Sequence, residues 1–528
     1  MNLTNSEKRL YEILAVLYEK DGCEKTEAEK LSYNAIEYMN SGKSLLKDIK
    51  IRLVKGGTYK IKGYYLENNE LSDIRGASTI ITKVQDDIIP KLLISLTGFD
   101  CILYNGGGNL FAVVPENTDT ALGTALEKEA QKYLITANSA YIVSEPLLIS
   151  ELLGKNYSTF IAEKENELNI RKKLKINVSV SPSSEFIGEE LFDGIVIKAE
   201  ENSEHKYCEK CKKRIARYKY PKSNLHICGG CLHKYRVGIK QKKTYSDEYR
   251  SFLPQNSNID VAPVYSFTDI SEDKIAVIYA DGNNMGGIIQ NFTKLTDMID
   301  FSSFVKTAMP EIVYSSMEKC GIGKFEIVAM GGDDIFMIVP GKKAVQLSAE
   351  LVKEYNRRFG EKYGNGVSTL SVGACIAKTK TPVKVMLEAA EDELSRAKDK
   401  VKTEGCDGSL SYVIFNTFGG NTDYSEGMLP FTVEQAEEIL DYIGKTKVAN
   451  SKFQNIAEAY ENAECYEEAN LFLEYTNAKE ACKKNPVIVQ LPKLSGYTLN
   501  GGCYEKDGRI YTIWNELLDL INIIKEND

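Results

Sequence analysis

The chain has 528 residues, more than one hydrophobic core usually organises, so several domains are expected. Its 43% hydrophobic and 27% charged residues fit an ordinary soluble globular protein. A net charge of −9 argues against nonspecific wrapping of nucleic acid by the whole surface. No apolar run approaches the roughly 18 residues of a membrane-spanning helix, and no signal peptide is recognisable. We therefore expect a cytoplasmic protein without a membrane partner.

The amino-terminal part begins with a helical segment and continues into a mixed domain. Residues 1–45 are mostly helical in pattern, and they carry no motif that indicates a function. Within residues 46–200, strand and helix patterns follow the order β-α-β-β-α-β, and the turn NGGGN separates the two middle strands. This order is that of the ferredoxin-like fold.

A cysteine cluster marks residues 201–262, which are predicted to form a zinc module and a linker. Two Cys-x2-Cys pairs stand sixteen residues apart, a spacing typical of a structural zinc site with four thiolate ligands. His226 or His233 could replace one of the cysteines, and this alternative stays open. The predicted ligands are Cys208, Cys211, Cys228 and Cys231.

The same segment is strongly basic. Residues 206–243 contain 13 Lys or Arg and a single Glu. Such a segment could hold phosphates or be a solvated basic loop, and the sequence does not distinguish a contact with RNA from one with protein.

Residues 263–425 repeat the order β-α-β-β-α-β with stronger patterns. The strand KIAVIYA leads directly into Asp281, and the later turn MGGDD aligns with NGGGN of the first copy. Residues 426–528 are helix-rich. The predicted fold class is α+β, with two ferredoxin-like domains, an intervening zinc module and a helical carboxyl-terminal domain.

Three carboxylates are expected to meet at one edge of the second sheet. The first and third strands of a ferredoxin-like sheet are adjacent and antiparallel, so Asp281 should lie beside Asp333 and Asp334. Oxygen-only ligands suit Mg²⁺ or Mn²⁺, and two such ions can stabilise both oxygens of an in-line displacement. The glycines let backbone N–H groups approach a triphosphate. The pattern predicts nucleotidyl transfer, in which a ribose hydroxyl attacks an α-phosphate and pyrophosphate leaves.

The fourth strand and the helix after it hold weaker candidates. Ser371 should lie near the same edge, where it could bond a base or sugar, or it is an ordinary strand serine. Lys398 or Lys402, late in the helix, could neutralise a triphosphate, although lysines are common on protein surfaces.

These motifs together resemble the large palm-domain subunit of type III CRISPR effector complexes. The second copy carries ADGNNMGG, MGGDD, LSVG and AAEDELSRAKDK, and the first carries LSDIRGAS and NGGGNLFAVVP. The resemblance runs from about residue 50 to the end of the sequence. Many members of that family begin with a histidine-aspartate nuclease domain. This chain has three histidines and no His-Asp pair, so we expect a variant without that domain or its nuclease activity.

The resemblance implies a cyclic oligoadenylate synthetase for antiviral defence, with ATP as substrate and target RNA as trigger. It implies two Mg²⁺ or Mn²⁺ ions and a structural Zn²⁺ as cofactors. The implied partners are other subunits of the effector complex, guide RNA and target RNA. The first palm would hold a second ATP without a catalytic metal. The implied site residues are Asp281, Asp333 and Asp334 for the metals and catalysis, and Gly282, Asn283, Gly331, Gly332, Ser371 and Lys398 for the nucleotide.

Two other functions stay open. A stand-alone nucleotide cyclase with another product, including one like a diguanylate cyclase, shares the palm and a GG-D-E-F turn, but Asp334 and Ile335 occupy the positions of that Glu and Phe. A catalytically silent scaffold subunit of an RNA-guided complex is the second possibility, and the intact carboxylates argue against it.

Overall fold

The computed structural model divides the chain into two compact units, each discontinuous in sequence. The first comprises Met1–Thr244, Asn284–Pro310 and Val328–Asp333, and the second comprises Tyr245–Asn283, Glu311–Ile327 and Asp334–Asp528. The domain boundaries predicted at residues 45, 200, 262 and 425 follow the order of motifs, and they stay predictions. The structure describes residues 3–43, 45–154, 157–174, 207–219, 225–240, 244–415, 428–462, 466–483, 489, 493–506 and 509–525.

Two helices begin the first unit, α1 (Asn5–Lys20) and α2 (Lys25–Ser41). Thr4 caps α1, because its hydroxyl accepts a hydrogen bond from the Glu7 N–H at 3.2 Å. The Glu7 carboxylate in turn accepts from the Thr4 N–H at 2.8 Å, which completes a capping box. Helix α1 buries an apolar stripe that includes Leu10, Leu14 and Leu17.

The first sheet has the ferredoxin-like strand order. Its strands are β1 (Lys50–Tyr59), β2 (Ile102–Gly106), β3 (Asn109–Pro115), β4 (Asn138–Val143) and β5 (Leu147–Leu148). All pairings are antiparallel in the order β2-β3-β1-β4, and β5 pairs with the beginning of β1. The helices are α3 (Ile61–Tyr65), α4 (Leu71–Lys83), α5 (Ile89–Thr97), α6 (Leu122–Leu134), α7 (Ile149–Leu152) and α8 (Tyr157–Leu174), with a π-helical turn, Val84–Ile88, between α4 and α5.

The cysteine segment packs against the first sheet's helix α4. It contains β6 (Tyr218–Lys219), β7 (His226–Ile227) and α9 (Gly229–Lys240). Two glycines let α4 and α9 approach closely: a methyl group on Gly76 would overlap the Lys234 carbonyl oxygen, and one on Gly238 would overlap the Ser72 carbonyl oxygen. The fully buried Asp73 also forms an ion pair with Lys210 of the cysteine segment. Burial raises the pKa of Asp73 to about 6, and the Lys210 ammonium partly offsets that rise. The LSDIRGAS motif therefore holds the zinc-type segment in place.

The second sheet repeats the order of the first and adds a strand. Its strands are β8 (Lys274–Asn283), β9 (Glu326–Gly331), β10 (Asp334–Pro340), β11 (Thr369–Lys378) and β12 (Ser409–Ile414). Their order is β12-β11-β8-β10-β9, in which β12 is parallel to β11. Both predicted ferredoxin-like sheets are thus confirmed. The helices around it are α10 (Thr244–Phe252), α11 (Phe267–Ile270), α12 (Met285–Gln290), α13 (Leu295–Cys320), α14 (Ala344–Tyr363) and α15 (Val383–Glu404), with a 3-10 turn at Gly341–Lys343.

The carboxyl-terminal region is mainly helical, as predicted. It contains α16 (Val433–Lys445), α17 (Asn450–Asn462), α18 (Tyr466–Ala481), β13 (Cys503–Lys506), β14 (Arg509–Thr512) and α19 (Trp514–Lys525). The single tryptophan, Trp514, is buried beside the rings of Phe453 and Tyr460, and its indole N–H donates to the Gly501 carbonyl at 2.8 Å. Within the described parts of the chain, no helix combines the length and apolar character needed to cross a bilayer.

The glycine contact between α4 and α9 gives a first prediction. Gly76→Ala should destabilise this packing by about 3 kcal/mol, because the new methyl group meets rigid backbone rather than a flexible side chain. Amide hydrogen exchange across Leu71–Lys83 and Gly229–Lys240 would report the change as faster local opening. Gly63→Ala, in α3 where a methyl group meets nothing within 4 Å, is the matched control. Unchanged exchange in Gly76→Ala would contradict the close contact.

A buried carboxyl in α19 gives a second prediction, on pH dependence. Burial raises the pKa of Glu516 to about 7, and one of its oxygens accepts from the Met428 N–H at 2.6 Å. The folded state therefore binds the Glu516 proton more tightly than the unfolded state. The resulting stability is complete below about pH 4.5 and is lost as the pH rises through about 7.

Substituting Glu516→Gln removes this titration. The measurement is thermal unfolding at pH 5 and at pH 8. The free energy of unfolding of the variant, relative to that of the native chain, should be about 3 kcal/mol higher at pH 8 than at pH 5. Glu434→Gln, at an exposed position of α16, controls for the change in net charge. The same pH response in native chain and Glu516→Gln would disprove the assignment.

Candidate functional site

The pairing of β8 with its neighbours places Asp281 opposite two other candidate residues. Asp281 is the direct partner of Ser371 on β11. On the other side, Ala280 pairs with Ile335 of β10, so the next residues outward, Asp281 and Asp334, face each other across the two strands. Asp333 precedes Asp334 in the turn after β9. The expected juxtaposition of Asp281 with the glycine-aspartate turn therefore follows from strand register. Strand β8 continues to Asn283, so Asp281 lies inside the strand rather than just beyond it.

Lys398 is the cation beside Asp281. Its ammonium forms an ion pair with Asp281 Oδ2, and the two side chains are 27% and 24% exposed. Helix α15 brings Lys398 to this position because it lies directly on β11: a methyl group on Gly373 would overlap the Ala390 carbonyl oxygen. Lys402, the alternative from the sequence, is exposed and pairs with Asp399 at 3.6 Å. The geometry favours Lys398 over Lys402.

Asn283 is held by hydroxyl groups of β11. Its Nδ2 donates to Thr369 Oγ1 and to Ser371 Oγ, both at 3.0 Å, and its carbonyl oxygen accepts from Ser368 Oγ at 2.8 Å. Ser371 is fully buried. Ser371 positions Asn283 here, and a contact of Ser371 with a base or sugar, which the sequence left open, stays a prediction. Gly282, the residue between, is buried in the strand and pairs with Leu370.

The turn between β9 and β10 leaves its backbone open. A methyl group on Gly331 would meet nothing within 4 Å, and Gly332 has a φ of +64°, which favours glycine. Within the first unit, Gly332 lies against the corresponding turn of the first sheet, since a methyl group on Gly107 would lie 3.3 Å from the Gly332 Cα. Two glycine turns thus meet backbone to backbone.

The first sheet has the same register but has no carboxylate at the two corresponding positions. Leu110 pairs with Gly56, so Asn109 faces Gly57 at the position that corresponds to Asp334 facing Asp281. Gly57 also pairs with Ala140, where the second sheet has Ser371. A side chain at Gly57 would overlap the Gly108 carbonyl oxygen. The first sheet therefore has no space for a carboxylate at this place, in addition to lacking one.

The donor chemistry at the second sheet fits a divalent cation, with Asp281, Asp333 and Asp334 as the groups that would hold it. All are oxygen donors of the kind that Mg²⁺ and Mn²⁺ prefer. Asp281 forms an ion pair with Lys398.

The four predicted zinc ligands, in contrast, form a compact cluster. Their sulfur atoms lie within 4.8 Å of one another, and three pairs are 3.5, 3.6 and 3.8 Å apart. A tetrahedron with metal–sulfur bonds of about 2.3 Å has sulfur atoms roughly 3.8 Å apart, so the cluster is compatible with structural zinc. All four side chains are buried, namely Cys208, Cys211, Cys228 and Cys231.

The two candidate histidine ligands lie outside this cluster. His226 is half-buried with its Nδ1 3.7 Å from a Glu209 oxygen. His233 is buried, and burial lowers its pKa to about 4. The four-cysteine interpretation is the one that the geometry supports.

A surface cleft of about 690 Å³ lies elsewhere on the second unit. It is lined by the beginning of β8 and the end of β10, including Lys274 and Pro340. Seven residues of extended strand separate Lys274 from Asp281, roughly 23 Å. This cleft is therefore distinct from the carboxylate edge.

Comparison with known proteins identifies the architecture. Residues 274–405 match the family model for the second palm domain of Cas10/Cmr2. This segment of the chain is therefore similar to the second palm domain of that family. No curated protein sequence matches the chain.

Solved structures show the same fold over nearly the whole chain. The crystal structure of Csm1 in T. onnurineus has a TM-score of 0.56 at 14% identity, covering 94% of this chain and 73% of that one. A Csm1–Csm4 cassette in complex with cA4 has a TM-score of 0.55 at 15% identity, with the same coverage of 94% and 73%. A Csm1–Csm4 cassette in complex with AMPPNP has a TM-score of 0.53 at 14% identity, again with 94% and 73%. At these identities the likeness shows the fold.

Sequence reasoning missed the side chains that surround the predicted residues. The contacts of Asn283 with Ser368 and Thr369, and of Asn68 and Arg214 with the cysteine cluster, join positions up to 163 residues apart. Arg214 is one of 13 Lys or Arg residues in the basic cysteine segment, and the sequence does not distinguish it from the other twelve. No sequence pattern indicates that Asn68 contacts the cluster.

Proposed function

We propose that the second palm is a nucleotidyltransferase that converts ATP into cyclic oligoadenylate. The observation that carries this proposal is the strand register that sets Asp281 opposite Asp334, next to an open glycine turn. A carboxylate edge beside exposed backbone N–H groups suits a triphosphate with its metal ions better than it suits a neutral substrate. The Csm1–Csm4 cassettes in complex with cA4 and AMPPNP support the choice of an adenylate.

Asp281, Asp333 and Asp334 would hold two Mg²⁺ or Mn²⁺ ions. Bound there, such ions neutralise the triphosphate and stabilise the attacking and leaving oxygens. The protein would position these groups. The pairing of β8 with β10 fixes the spacing of Asp281 and Asp334, and hydroxyl groups of β11 hold the side chain of Asn283.

Lys398 would serve two roles in turn. Its ammonium forms an ion pair with Asp281. With a divalent cation held by Asp281, the same ammonium would be available to the phosphates and would offset the charge of the leaving pyrophosphate. The turn at Gly331 and Gly332 would let the phosphates approach the backbone, and Gly282 would keep the strand close to the nucleotide.

The first palm would bind the second ATP, whose ribose hydroxyl attacks the α-phosphate held by the second palm. It has a glycine turn at the corresponding place, and Gly57 and Asn109 stand where the second palm has the carboxylates proposed to bind metal. The close approach of Gly107 to Gly332 within the first unit supports a role for both glycine turns in binding nucleotide. Repetition of the transfer followed by ring closure would give the cyclic product.

The proposed setting is an RNA-guided effector complex in the cytoplasm. The Csm1 structures with Csm4 support other subunits as partners. Guide RNA and target RNA would be further partners, and target RNA would be the trigger. The zinc ion would have a structural role, because four cysteines fill its coordination sphere.

The decisive variant is Asp333→Ala combined with Asp334→Ala. In the effector complex with target RNA, ATP and Mg²⁺, product formation should fall at least 1,000-fold, because the metal-binding edge is lost. Mass spectrometry of the product measures the result, and circular dichroism checks the fold. Glu272→Ala combined with Asp273→Ala is the matched control, since it removes two exposed acidic groups at the other end of the same sheet.

Undiminished synthesis by the double aspartate variant would refute the proposal. Turnover of GTP but not ATP by the native complex would instead favour a cyclase with another product. Absence of any nucleotide product from a complex that binds target RNA normally would favour the silent scaffold.

A further inference from the structure

Among the described residues, two polar side chains outside the ligand set, Asn68 and Arg214, form hydrogen bonds with the cysteine cluster. We propose that Asn68 and Arg214 are N–H···S donors that hold the cluster in its charged, metal-binding form, and so link zinc occupancy to the first palm. This proposal concerns the cysteine cluster alone and does not depend on nucleotide synthesis.

Asn68 is a buried amide aimed at the cluster. Its side chain is 4% exposed, and the Cys231 thiol donates to its Oδ1 at a distance of 3.5 Å. Its Nδ2 is buried without a hydrogen-bond partner. A buried N–H donor without a partner has lost its hydrogen bonds to water and gained none, so this arrangement calls for an acceptor.

Zinc binding would supply that acceptor. A zinc-bound cysteine is a thiolate, which has no S–H to donate and accepts hydrogen bonds instead. Rotation of the Asn68 amide by 180° exchanges Oδ1 and Nδ2, which then faces the Cys231 sulfur as a donor. The same rotation removes the unpaired buried N–H. Asn68 thus fits the thiolate form of Cys231 better than the thiol form.

Arg214 supplies a permanent positive charge on the other side. Its Nη1 donates to Cys211 Sγ at 3.5 Å and to Cys228 Sγ at 3.4 Å. Four thiolates around Zn²⁺ carry a net charge of about −2, which is costly to bury without a cation. Arg214 offsets part of this charge. Together with Asn68, it would provide three of the four sulfurs with an N–H donor.

Glu67 connects these donors to the first palm. It forms an ion pair with Arg214 Nη2, and its other oxygen lies 2.6 Å from Lys234 Nζ. Lys234 is almost fully buried, donates to the Tyr64 carbonyl at 2.7 Å and lies 3.7 Å from the centre of the Tyr64 ring. The segment from Tyr64 to Asn68, which leads into α4, is therefore tied to the cluster by hydrogen bonds and charge. Loss of the metal should loosen this segment.

The test is zinc affinity in the full chain. Asn68→Asp replaces the donor by a carboxylate that repels the thiolates, and competition with a chromophoric chelator should show 10- to 100-fold weaker Zn²⁺ binding. Asn69→Asp adds the same charge one residue away at an exposed position, and it should keep native affinity. Arg214→Met should weaken binding over a similar range, whereas Arg236→Met, in α9, should not.

Two further measurements distinguish a loss of donors from a loss of fold. Cobalt substitution should preserve the tetrahedral four-sulfur absorption bands in Asn68→Asp, with shifted thiolate-to-metal charge-transfer energies. Asn68→Ala, which removes the donor without adding charge, should show a smaller loss of affinity in the same direction. Native affinity in both Asn68→Asp and Arg214→Met would overturn the proposal. Equal losses in Asn68→Asp and Asn69→Asp would overturn the role of Asn68.

Discussion

The antiparallel pairing of β8 with β10 on one side and β11 on the other determines the geometry of the candidate site. Side chains in a sheet alternate between its faces, so a slip of one residue in either pairing would send Asp281 and Asp334 to opposite faces. The buried core of β8, Ile275 to Ala280, makes such a slip costly, because it would expose apolar side chains. Burial of an ordinary apolar strand therefore fixes the spacing of a polar site.

The two sheets show how one fold can carry different chemistry. Both have a glycine turn between their second and third strands, but only the second turn has a glycine, Gly331, with open space around it. Strand β8 of the second sheet has Asp281 beside this turn. Strand β1 of the first sheet has Gly57 at the same position, where the Gly108 carbonyl oxygen occupies the space that a side chain would need. A carboxylate could not be restored at Gly57 without moving that turn. The first palm therefore lacks the carboxylate at Gly57, whereas the second has the three carboxylates on which the proposed catalysis depends.

Much of this organisation could be predicted from the sequence because its signals are local. Alternating strand patterns, the order of helices and strands, and the glycine turns give both sheets, and the ferredoxin-like topology then brings Asp281 to Asp334. Two pairs of closely spaced cysteines give the metal cluster in the same way. Ser371 lies where topology predicts, but its burial against Asn283 depends on side-chain packing that no local pattern specifies.

The contacts that could not be predicted join distant segments through close approach. Gly76 and Gly238 allow two helices to touch, yet a glycine within a helical pattern does not by itself indicate which segment packs against it. Asn68 and Glu67 lie in a short polar linker whose pattern does not indicate a neighbour more than 140 residues away. Lys398 could be distinguished from Lys402 only after α15 was placed on β11. Such choices are made by tertiary packing.

The most direct test of the catalytic metal site is the position of bound manganese. Crystals of the protein grown with Mn²⁺ and a nonhydrolysable ATP analogue should show anomalous scattering beside the carboxylates of Asp281 and Asp334, with Lys398 moved away from Asp281. Manganese bound only elsewhere, with the analogue present and Asp281 still paired with Lys398, would contradict the assignment of this sheet edge as the catalytic metal site.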